Sequence, residues 1–437
     1  MVGVSRLVAV LLLIAGLGQI PAMTTAGPAA TQPAGPSTEC LVHPDVTATA
    51  TEAVPAALTR LIDRRLAHPD LAEGTVAVSV WIDGFGEVAA RLPNRRLRPA
   101  SAQKILTAIT ALEVLGPDRR LATTVVATGP VVDGVITGNL YLVGGGDPTL
   151  TRSGDHSLRA LAALVRVRGI TGITGGVVVD ESRYDSRRNA DGWDLDFYPD
   201  SVGSLSALVA DRNDYRNDVP FYVSPALHNG RLFGQMLAAA GVTVGFAPVL
   251  GVAPPDATVV AELRSPPVSE LVTEILTDSD NTVSELLIKE VGLVAAGRGS
   301  TGMGIKAAEE VSGSLCMRPS AEQADGSGLS DLNRRSARDW RSLLQAAQSR
   351  SWYPLLLDGL AIAGETGTLQ NRFLGTPAEG NLRAKTGTLE GLSSLSGVMT
   401  TAAGRRVFFS VIIDADAPFP KLALIDAMLA DIAADTS

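Results

Sequence analysis

A serine and a lysine three residues apart, Ser101 and Lys104, are of the types and spacing that suit nucleophilic catalysis. Residues i and i+3 share one face of a helix, so the hydroxyl and the amine can meet. A lysine can remove the serine proton once burial or a nearby cation lowers its pKa. The chain holds only five lysines, and only Lys104 has a serine at this spacing. The pair predicts a serine nucleophile with a lysine base, and the Ser101 amide can donate to an oxyanion.

A polar run that opens a second helical pattern holds Ser279 and Asn281. Alternate residues here can present one hydroxyl and one amide to a cleft. Ser279 could then pass a proton to a departing amine, and Asn281 could hold a substrate amide. The same run fits simple capping of the helix N-terminus, and taken alone it favours capping.

The run Lys385-Thr386-Gly387-Thr388 is typical of an edge strand that borders a cleft. The ammonium of Lys385 and the hydroxyls of Thr386 and Thr388 can bind a carboxylate. Gly387 has no side chain, so a substrate backbone can approach it closely. Lys385 is also the cation expected to lower the pKa of Lys104 if the two motifs are adjacent. An ordinary solvated strand start is the alternative, but this cluster suits a substrate that ends in a free carboxylate.

The elements that must position these residues come from both ends of the chain. The alternation of apolar residues predicts two N-terminal strands within 75–90, joined by a turn at Asp83-Gly84, and three C-terminal strands at 385–390, 393–401 and 407–415. Helical periodicity predicts a buried helix at 101–115 and a last helix at 422–433. We expect one antiparallel sheet flanked by helices. The fold class is α/β (α+β), with a discontinuous catalytic domain at 40–120 plus 265–437 and a strand-rich insert at 121–264.

Composition limits the functions open to this chain of 437 residues. Hydrophobic residues make up 46%, enough for large cores, and the net charge of −9 argues against nucleic acid as a partner. The four histidines are scattered, so we expect no metal site. The run 297–302 matches GxGxxG but follows a helical rather than a strand pattern, so we expect no dinucleotide and no other cofactor.

The N-terminus is typical of an export signal. Arg6 precedes an apolar stretch at 7–20, and small residues follow, which predicts a signal peptide at 1–26 and a flexible linker at 27–39. An uncleaved N-terminal anchor is the alternative, and we expect no other membrane span. In an exported protein the only cysteines, Cys40 and Cys316, suggest one disulfide, with two free thiols as the alternative.

The three motifs together resemble the active site of penicillin-recognising serine hydrolases. Further stretches are similar to signatures of the D-alanyl-D-alanine carboxypeptidase/endopeptidase family, the class C low-molecular-mass penicillin-binding proteins of peptidase family S13. They are Leu140-Tyr-Leu-Val-Gly-Gly-Gly-Asp-Pro-Thr149, Asp180-Glu-Ser-Arg-Tyr-Asp185, Ser265-Pro-Pro267, Asp325-Gly-Ser-Gly-Leu-Ser330 and Gly364-Glu-Thr-Gly-Thr-Leu-Gln-Asn-Arg372. The likeness runs from about residue 75 to the C-terminus. The segment between Ser101 and Ser279 is shorter than in most members, which leaves the number of inserted domains open.

The resemblance implies a penicillin-binding-protein/β-lactamase-like transpeptidase domain that cleaves D-Ala peptide bonds of peptidoglycan through an acyl-enzyme. It implies that Ser101 is the nucleophile and Lys104 its base, with Ser279 and Asn281 as the second element. Lys385, Thr386 and Thr388 would bind the substrate carboxylate or its β-lactam equivalent, and Gly387 would bind the substrate along its backbone. The amides of Ser101 and Thr388 would form the oxyanion hole. Arg372 and Asp147 lie in signatures near the family's cleft, which implies a role on the substrate side chain, with a structural role as the alternative for either residue.

Two other functions remain compatible with these motifs. A non-hydrolytic wall-binding or β-lactam-sensing protein would keep the pocket without turnover, although such proteins usually lose one catalytic residue. A β-lactamase would need rapid deacylation, and no dedicated deacylation base is evident in the sequence.

Overall fold

A computed structural model describes residues 50–214, 224–315, 317 and 322–437. The predicted signal peptide 1–26, the linker 27–39 and the cysteines Cys40 and Cys316 lie outside these residues. Within the described ranges, none of the helices combines the length and the hydrophobicity that a bilayer crossing requires.

The described residues form both helices and strands. The helices are α1 Ala56–Leu66, α2 Gln103–Val114, α3 Leu158–Val167, α4 Pro225–Ala239, α5 Val268–Thr277, α6 Asn281–Ala296, α7 Thr301–Ser314, α8 Ala337–Ala347, α9 Tyr353–Gly359 and α10 Pro418–Ala433. The strands are β1 Thr75–Ile82, β2 Gly86–Arg91, β3 Ala122–Ala127, β4 Val131–Val132, β5 Val135–Ile136, β6 Leu140–Val143, β7 Gly172–Asp180, β8 Thr243–Leu250, β9 Thr258–Arg264, β10 Ala361–Ile362, β11 Arg383–Leu389, β12 Leu392–Thr400 and β13 Arg406–Asp414.

Six of the described strands form one antiparallel sheet in the order β10-β11-β12-β13-β1-β2. The two ends of the chain meet inside it, because β1 pairs with β13 from Thr75 opposite Asp414 to Ile82 opposite Val407. Residues of α2, α5, α6 and α8 pack on one face of the sheet, and residues of α1 and α10 pack on the other. Burial on both faces explains why β1 and β13 are almost continuously apolar. The predicted sheet of two N-terminal and three C-terminal strands is confirmed, with β10 added.

Three predicted details differ from the structure. The helix expected from Ser101 begins as the 3₁₀ turn Ala100–Ala102, and α2 itself starts at Gln103. The last helix begins at Pro418, because proline suits the first turn of a helix, where its missing N–H has no partner to lose. The strand that holds Lys385 is not outermost, since β10 pairs with its first two residues. From Lys385 onward, no described strand pairs with that side of β11.

The remaining strands, β3 to β9, form a second, mixed sheet. Strand β7 runs parallel to β5, β6 and β8, while β3 is antiparallel to β6 and β9. Helices α3 and α4 pack on one face and enclose a separate apolar core. These strands all lie within the predicted insert, whose boundaries, like those of the catalytic domain, stay a prediction.

Candidate active site

Ser101 lies in the 3₁₀ turn that leads into α2, and two neighbouring segments hold this turn in place. Ala100 has a positive φ of 47°, a conformation that side-chain-bearing residues rarely adopt. Ser394 on β12 donates a hydrogen bond of 2.7 Å to the Pro99 carbonyl. A Cβ on Gly328 would lie only 2.0 Å from the Ala100 carbonyl oxygen, so a loop backbone is pressed against the turn. The surrounding structure therefore fixes a strained backbone directly before Ser101.

Lys104 is fully buried, and its Nζ has three hydrogen-bond partners. The Ser101 Oγ is 3.0 Å away, and the Asn281 Oδ1 and the Ser327 carbonyl oxygen are each 2.6 Å away. A carbonyl oxygen can only accept a hydrogen bond, so the two hydrogens of a neutral amine are directed to these two oxygens. The nitrogen lone pair is then left for the Ser101 hydroxyl. The geometry thus suits Lys104 to remove the Ser101 proton.

Burial lowers the pKa of Lys104 from 10.5 to about 8, against the opposing effect of the carboxylates of Asp325, Glu285 and Asp280. Roughly a tenth of the lysine is then neutral at pH 7. The sequence prediction assigned this lowering partly to Lys385. In the structure burial is the main cause for Lys104. Burial, and after it the repulsion between the two ammonium groups, also lowers the pKa of Lys385.

The second motif lies at the start of α6, and Asp280 between its two predicted residues caps the helix. The Asp280 side chain accepts a hydrogen bond of 2.8 Å from the Val283 amide. The helix is therefore capped by Asp280, and the side chains of Ser279 and Asn281 are not needed for capping. Asn281 contacts Lys104 through its oxygen and donates from Nδ2 to the Ser201 carbonyl at 2.8 Å. Ser279 has a φ of 68° and is half-buried, and its hydroxyl has no hydrogen-bond partner among the described residues.

The third motif lies on β11, which runs directly past the Ser101 turn. A Cβ on Gly387 would come within 2.3 Å of the Ser394 hydroxyl and 2.9 Å of the Ser101 amide nitrogen. Lys385 is fully buried and donates to the Thr386 carbonyl at 2.9 Å. Burial, and then the charge of Lys104, hold its pKa well below the ordinary value. The structure thus brings the first and third motifs together.

The two predicted threonines of this motif differ in their surroundings. Thr386 donates from its hydroxyl to the Thr368 hydroxyl at 2.7 Å, in a 3₁₀ turn that flanks the unpaired side of β11. Thr388 is exposed. Both stay predicted substrate-binding residues, together with Lys385 and Gly387.

A loop at 325–330 completes the surroundings of Lys104. Asp325 organises it by accepting hydrogen bonds from the amides of Gly328 and Ser330 at 2.9 and 2.7 Å. Glu285, one turn after Asn281 on α6, accepts from the amides of Gly326 and Ser327. The stretch 325–330 resembles a family signature, but the sequence does not reveal its contact with Lys104. The sequence analysis did not single out Glu285. Its position four residues after Asn281, on the same face of the helix, is the one signal that could have placed it near the site.

Residues of the insert also contact the second motif and the residue that follows it. Besides the bond from Asn281 to Ser201, the Gly203 amide donates to the Thr282 hydroxyl at 3.1 Å. Arg212 donates to Asp280 at 2.9 Å and also binds Glu274 and the Pro148 carbonyl. The start of α6 is therefore held by the insert as well as by α2.

Asp147 and Arg372 have partners of their own. Asp147 is buried and accepts hydrogen bonds from the Thr149 amide at 2.8 Å and from His156 Nε2 at 2.7 Å. Arg372 makes two bonds to Asp426 on α10, at 2.6 and 3.1 Å. Neither side chain has a hydrogen bond to a motif residue in the part of the chain that the structure describes. Their role in substrate binding stays a prediction.

Comparison with known proteins identifies the family. The model of the D-Ala-D-Ala carboxypeptidase 3 (S13) family matches residues 58–221 and 220–433. The chain belongs to this family. Its members are peptidases, so the chain is a hydrolase of the serine type, and the resemblance noted from its motifs is confirmed.

Named relatives cover most of the chain. It is 32% identical to the D-alanyl-D-alanine carboxypeptidase of Actinomadura sp. strain R39, over 86% of this chain and 85% of the relative. It is 33% identical to carboxypeptidase DacB of Mycolicibacterium smegmatis, over 84% and 81%. Among solved structures, penicillin binding protein 4 (dacB) of Haemophilus influenzae superimposes with a TM-score of 0.76 at 22% identity, covering 86% of this chain and 98% of that one. This likeness establishes the predicted fold class.

Proposed function

We propose that the chain is an exported serine-type DD-peptidase that cleaves D-Ala peptide bonds in peptidoglycan stem peptides through an acyl-enzyme. The observation that carries the proposal is the 3.0 Å approach of the buried Lys104 amine to the Ser101 hydroxyl. A surface pair of serine and lysine would have neither the burial nor the two carbonyl partners that direct the amine lone pair to the hydroxyl.

In the proposed acylation step, Ser101 Oγ attacks the carbonyl carbon of the scissile bond while its proton moves to Lys104 Nζ. The amides of Ser101 and Thr388 would stabilise the oxyanion. The carbon–nitrogen bond then breaks, and the proton that Lys104 took from Ser101 passes through the Ser279 hydroxyl to the departing amine of D-Ala. Water hydrolyses the resulting ester and regenerates Ser101. The leaving residue carries a free carboxylate, which Lys385, Thr386 and Thr388 would bind.

A β-lactam would acylate Ser101 in the same way, because its ring amide replaces the scissile bond. The penicillin binding protein 4 of Haemophilus influenzae has been solved in complex with a β-lactam, and it shares this fold with a TM-score of 0.69. The test is incubation with a fluorescent penicillin. We expect covalent labelling of the wild-type chain and none of Ser101→Ala. An unlabelled wild type, or equal labelling of both, would refute the proposal.

The choice of bond is tested by mass spectrometry of products from purified muropeptides. Release of D-Ala from monomeric pentapeptides identifies a carboxypeptidase, and cleavage of cross-linked dimers identifies a DD-endopeptidase. Acylation without release of D-Ala would indicate a non-hydrolytic penicillin-binding or sensing protein. Rapid turnover of nitrocefin would indicate a β-lactamase.

Export is proposed from the N-terminal signal pattern alone. Mass spectrometry of the mature N-terminus tests it: a chain that begins after residue 26 supports cleavage, and an intact N-terminus in the membrane fraction supports an anchor. The same spectra, taken without reduction, test the predicted bond between Cys40 and Cys316. A cytoplasmic full-length chain would contradict export.

A further inference from the structure

Glu285 is a fully buried carboxyl that the proposed reaction does not use. It lies on α6, four residues after Asn281 and on the same helical face. Its Oε1 accepts hydrogen bonds from the amides of Gly326 and Ser327, at 2.9 and 2.7 Å. Its Oε2 has no hydrogen-bond partner among the described residues. Burying a carboxyl oxygen without a hydrogen-bond partner opposes folding.

Ser327 connects this carboxyl to the candidate base. Its amide donates to Glu285, and its carbonyl oxygen accepts the bond of 2.6 Å from Lys104 Nζ. Asp325 holds the following residue through the Gly328 amide at 2.9 Å. The orientation of the Ser327 carbonyl thus depends on two carboxyl groups, one on each side of it.

We propose that Glu285 is a positioning residue for Lys104. It fixes the Ser327 carbonyl that accepts one Lys104 hydrogen, and its negative charge, when present, retains the proton on Lys104. The role in acylation rests on the proposed function, whereas the effect on Lys104 does not.

Other charged groups also face this pair. Asp325 from the loop and Asp280 from the start of α6 act on Lys104, and Lys385 from β11 repels it. Lys289 on α6 and Tyr198 of the insert lie near Glu285. The effect of Glu285 must therefore be measured by changing this residue alone.

The two groups titrate in the same range. Burial, and then the charge of Asp325, raise the pKa of Glu285 to about 8, while burial lowers that of Lys104 to about 8. As the pH rises, loss of the Glu285 proton creates a negative charge that favours charged Lys104. Without that charge, Lys104 loses its proton at a lower pH.

The decisive experiment is NMR titration of the full chain labelled with ¹³C at the lysine Cε. The chain has five lysines, so the spectrum is simple, and Lys104→Met assigns the signal. In Glu285→Gln, which keeps an oxygen for the two loop amides, we expect the midpoint of Lys104 to fall by roughly one pH unit. An unchanged midpoint would overturn the role of the charge.

Glu290→Gln is the matched control. Glu290 is also fully buried on α6, but it binds Arg183 and Arg119 rather than the loop. We expect the Lys104 midpoint to be the same in this variant as in the wild type. An equal fall in both variants would show a general effect of removing buried charge from α6 and would overturn the proposal.

Acylation rates test the positioning role. In Glu285→Ala both loop amides lose their acceptor, and we expect penicillin to acylate Ser101 at least tenfold more slowly on the high-pH plateau, roughly the scale of a disturbed catalytic base. Glu285→Gln should stay within about threefold of wild type there. An Ala variant that acylates at the wild-type rate would overturn this role. If the wild type is not acylated at all, the proposed function fails, while the NMR result still decides the effect on Lys104.

Discussion

Asn281 Oδ1 lies 2.6 Å from Lys104 Nζ, which joins the second motif directly to the candidate base. Its amide nitrogen donates to the Ser201 carbonyl, so both ends of this side chain have protein partners. The sequence predicted that Asn281 holds a substrate amide. The structure gives it a contact with Lys104, where its oxygen helps direct the amine lone pair to Ser101.

Replacing Asn281 with aspartate should slow acylation most at neutral pH. A carboxylate beside Lys104 favours the charged amine and raises its pKa, so fewer molecules hold a neutral base. We expect Asn281→Asp to react with penicillin about tenfold or more slowly at pH 7 and to recover part of the loss at higher pH. Asn381→Asp is the control, because Asn381 binds Thr400 on the far end of β12. An unshifted pH profile in Asn281→Asp would contradict this role.

The pH dependence of the wild type follows from the buried lysine. Protonated Lys104 cannot accept the Ser101 proton, and its pKa is about 8. The second-order rate of acylation should therefore rise about tenfold per pH unit below about pH 7.5 and level off above about 8.5. Stopped-flow measurement with a fluorescent penicillin checks this, with the melting temperature recorded at each pH. A rate that is flat from pH 6 to 8 would exclude Lys104 as the base.

A methyl group at Gly387 should disturb the site more than the fold. It would meet the Ser394 hydroxyl at 2.3 Å and the Ser101 amide nitrogen at 2.9 Å, so β11 must move away from Ser101. We expect Gly387→Ala to reduce the acylation rate by about 100-fold, since small displacements of reacting groups are costly. Circular dichroism should show a folded chain.

Gly313→Ala is the matched control for that variant. Gly313 lies in α7, and an added Cβ there would have no atom of another described residue outside its own helix turn within 4 Å. Alanine favours helix over glycine, so we expect equal or higher stability, by up to about 1 kcal/mol, and an unchanged acylation rate. Equal rates for both alanine variants would show that Gly387 does not position β11.

Loss of Arg212 should weaken the attachment of the insert to the start of α6. Arg212 binds Asp280, Glu274 and the Pro148 carbonyl, and its removal leaves two part-buried carboxylates unpaired. We expect Arg212→Met to lower the free energy of unfolding by about 1–3 kcal/mol and to slow acylation. Chemical denaturation and penicillin labelling measure the two effects. Arg152→Met, which removes a neighbouring ion pair with Asp211, should leave acylation unchanged.

Local patterns predicted the elements well, because apolar periodicity and turn residues act over a few positions. The helix around Lys104 and the strand that holds Lys385 differ from prediction by one or two residues at each end. The family signatures predicted the fold class, and the comparisons with known proteins confirm it. The partners of Lys104 were not predictable, because Asn281 and Ser327 reach it only through tertiary packing. No local pattern signals that a buried carboxyl such as Glu285 faces a loop more than forty residues away.

The placement of β13 between β12 and β1 has a consequence for biosynthesis. A ribosome makes Ser101 early, yet the strand that carries Lys385 joins β1 only through the last two strands of the sheet. A partly translated chain therefore contains Ser101 but lacks the strand that carries Lys385. Susceptibility to penicillin should therefore arise only once β12 and β13 have been made and have joined β11 to β1, which makes penicillin a probe of the assembled sheet rather than of its separate strands.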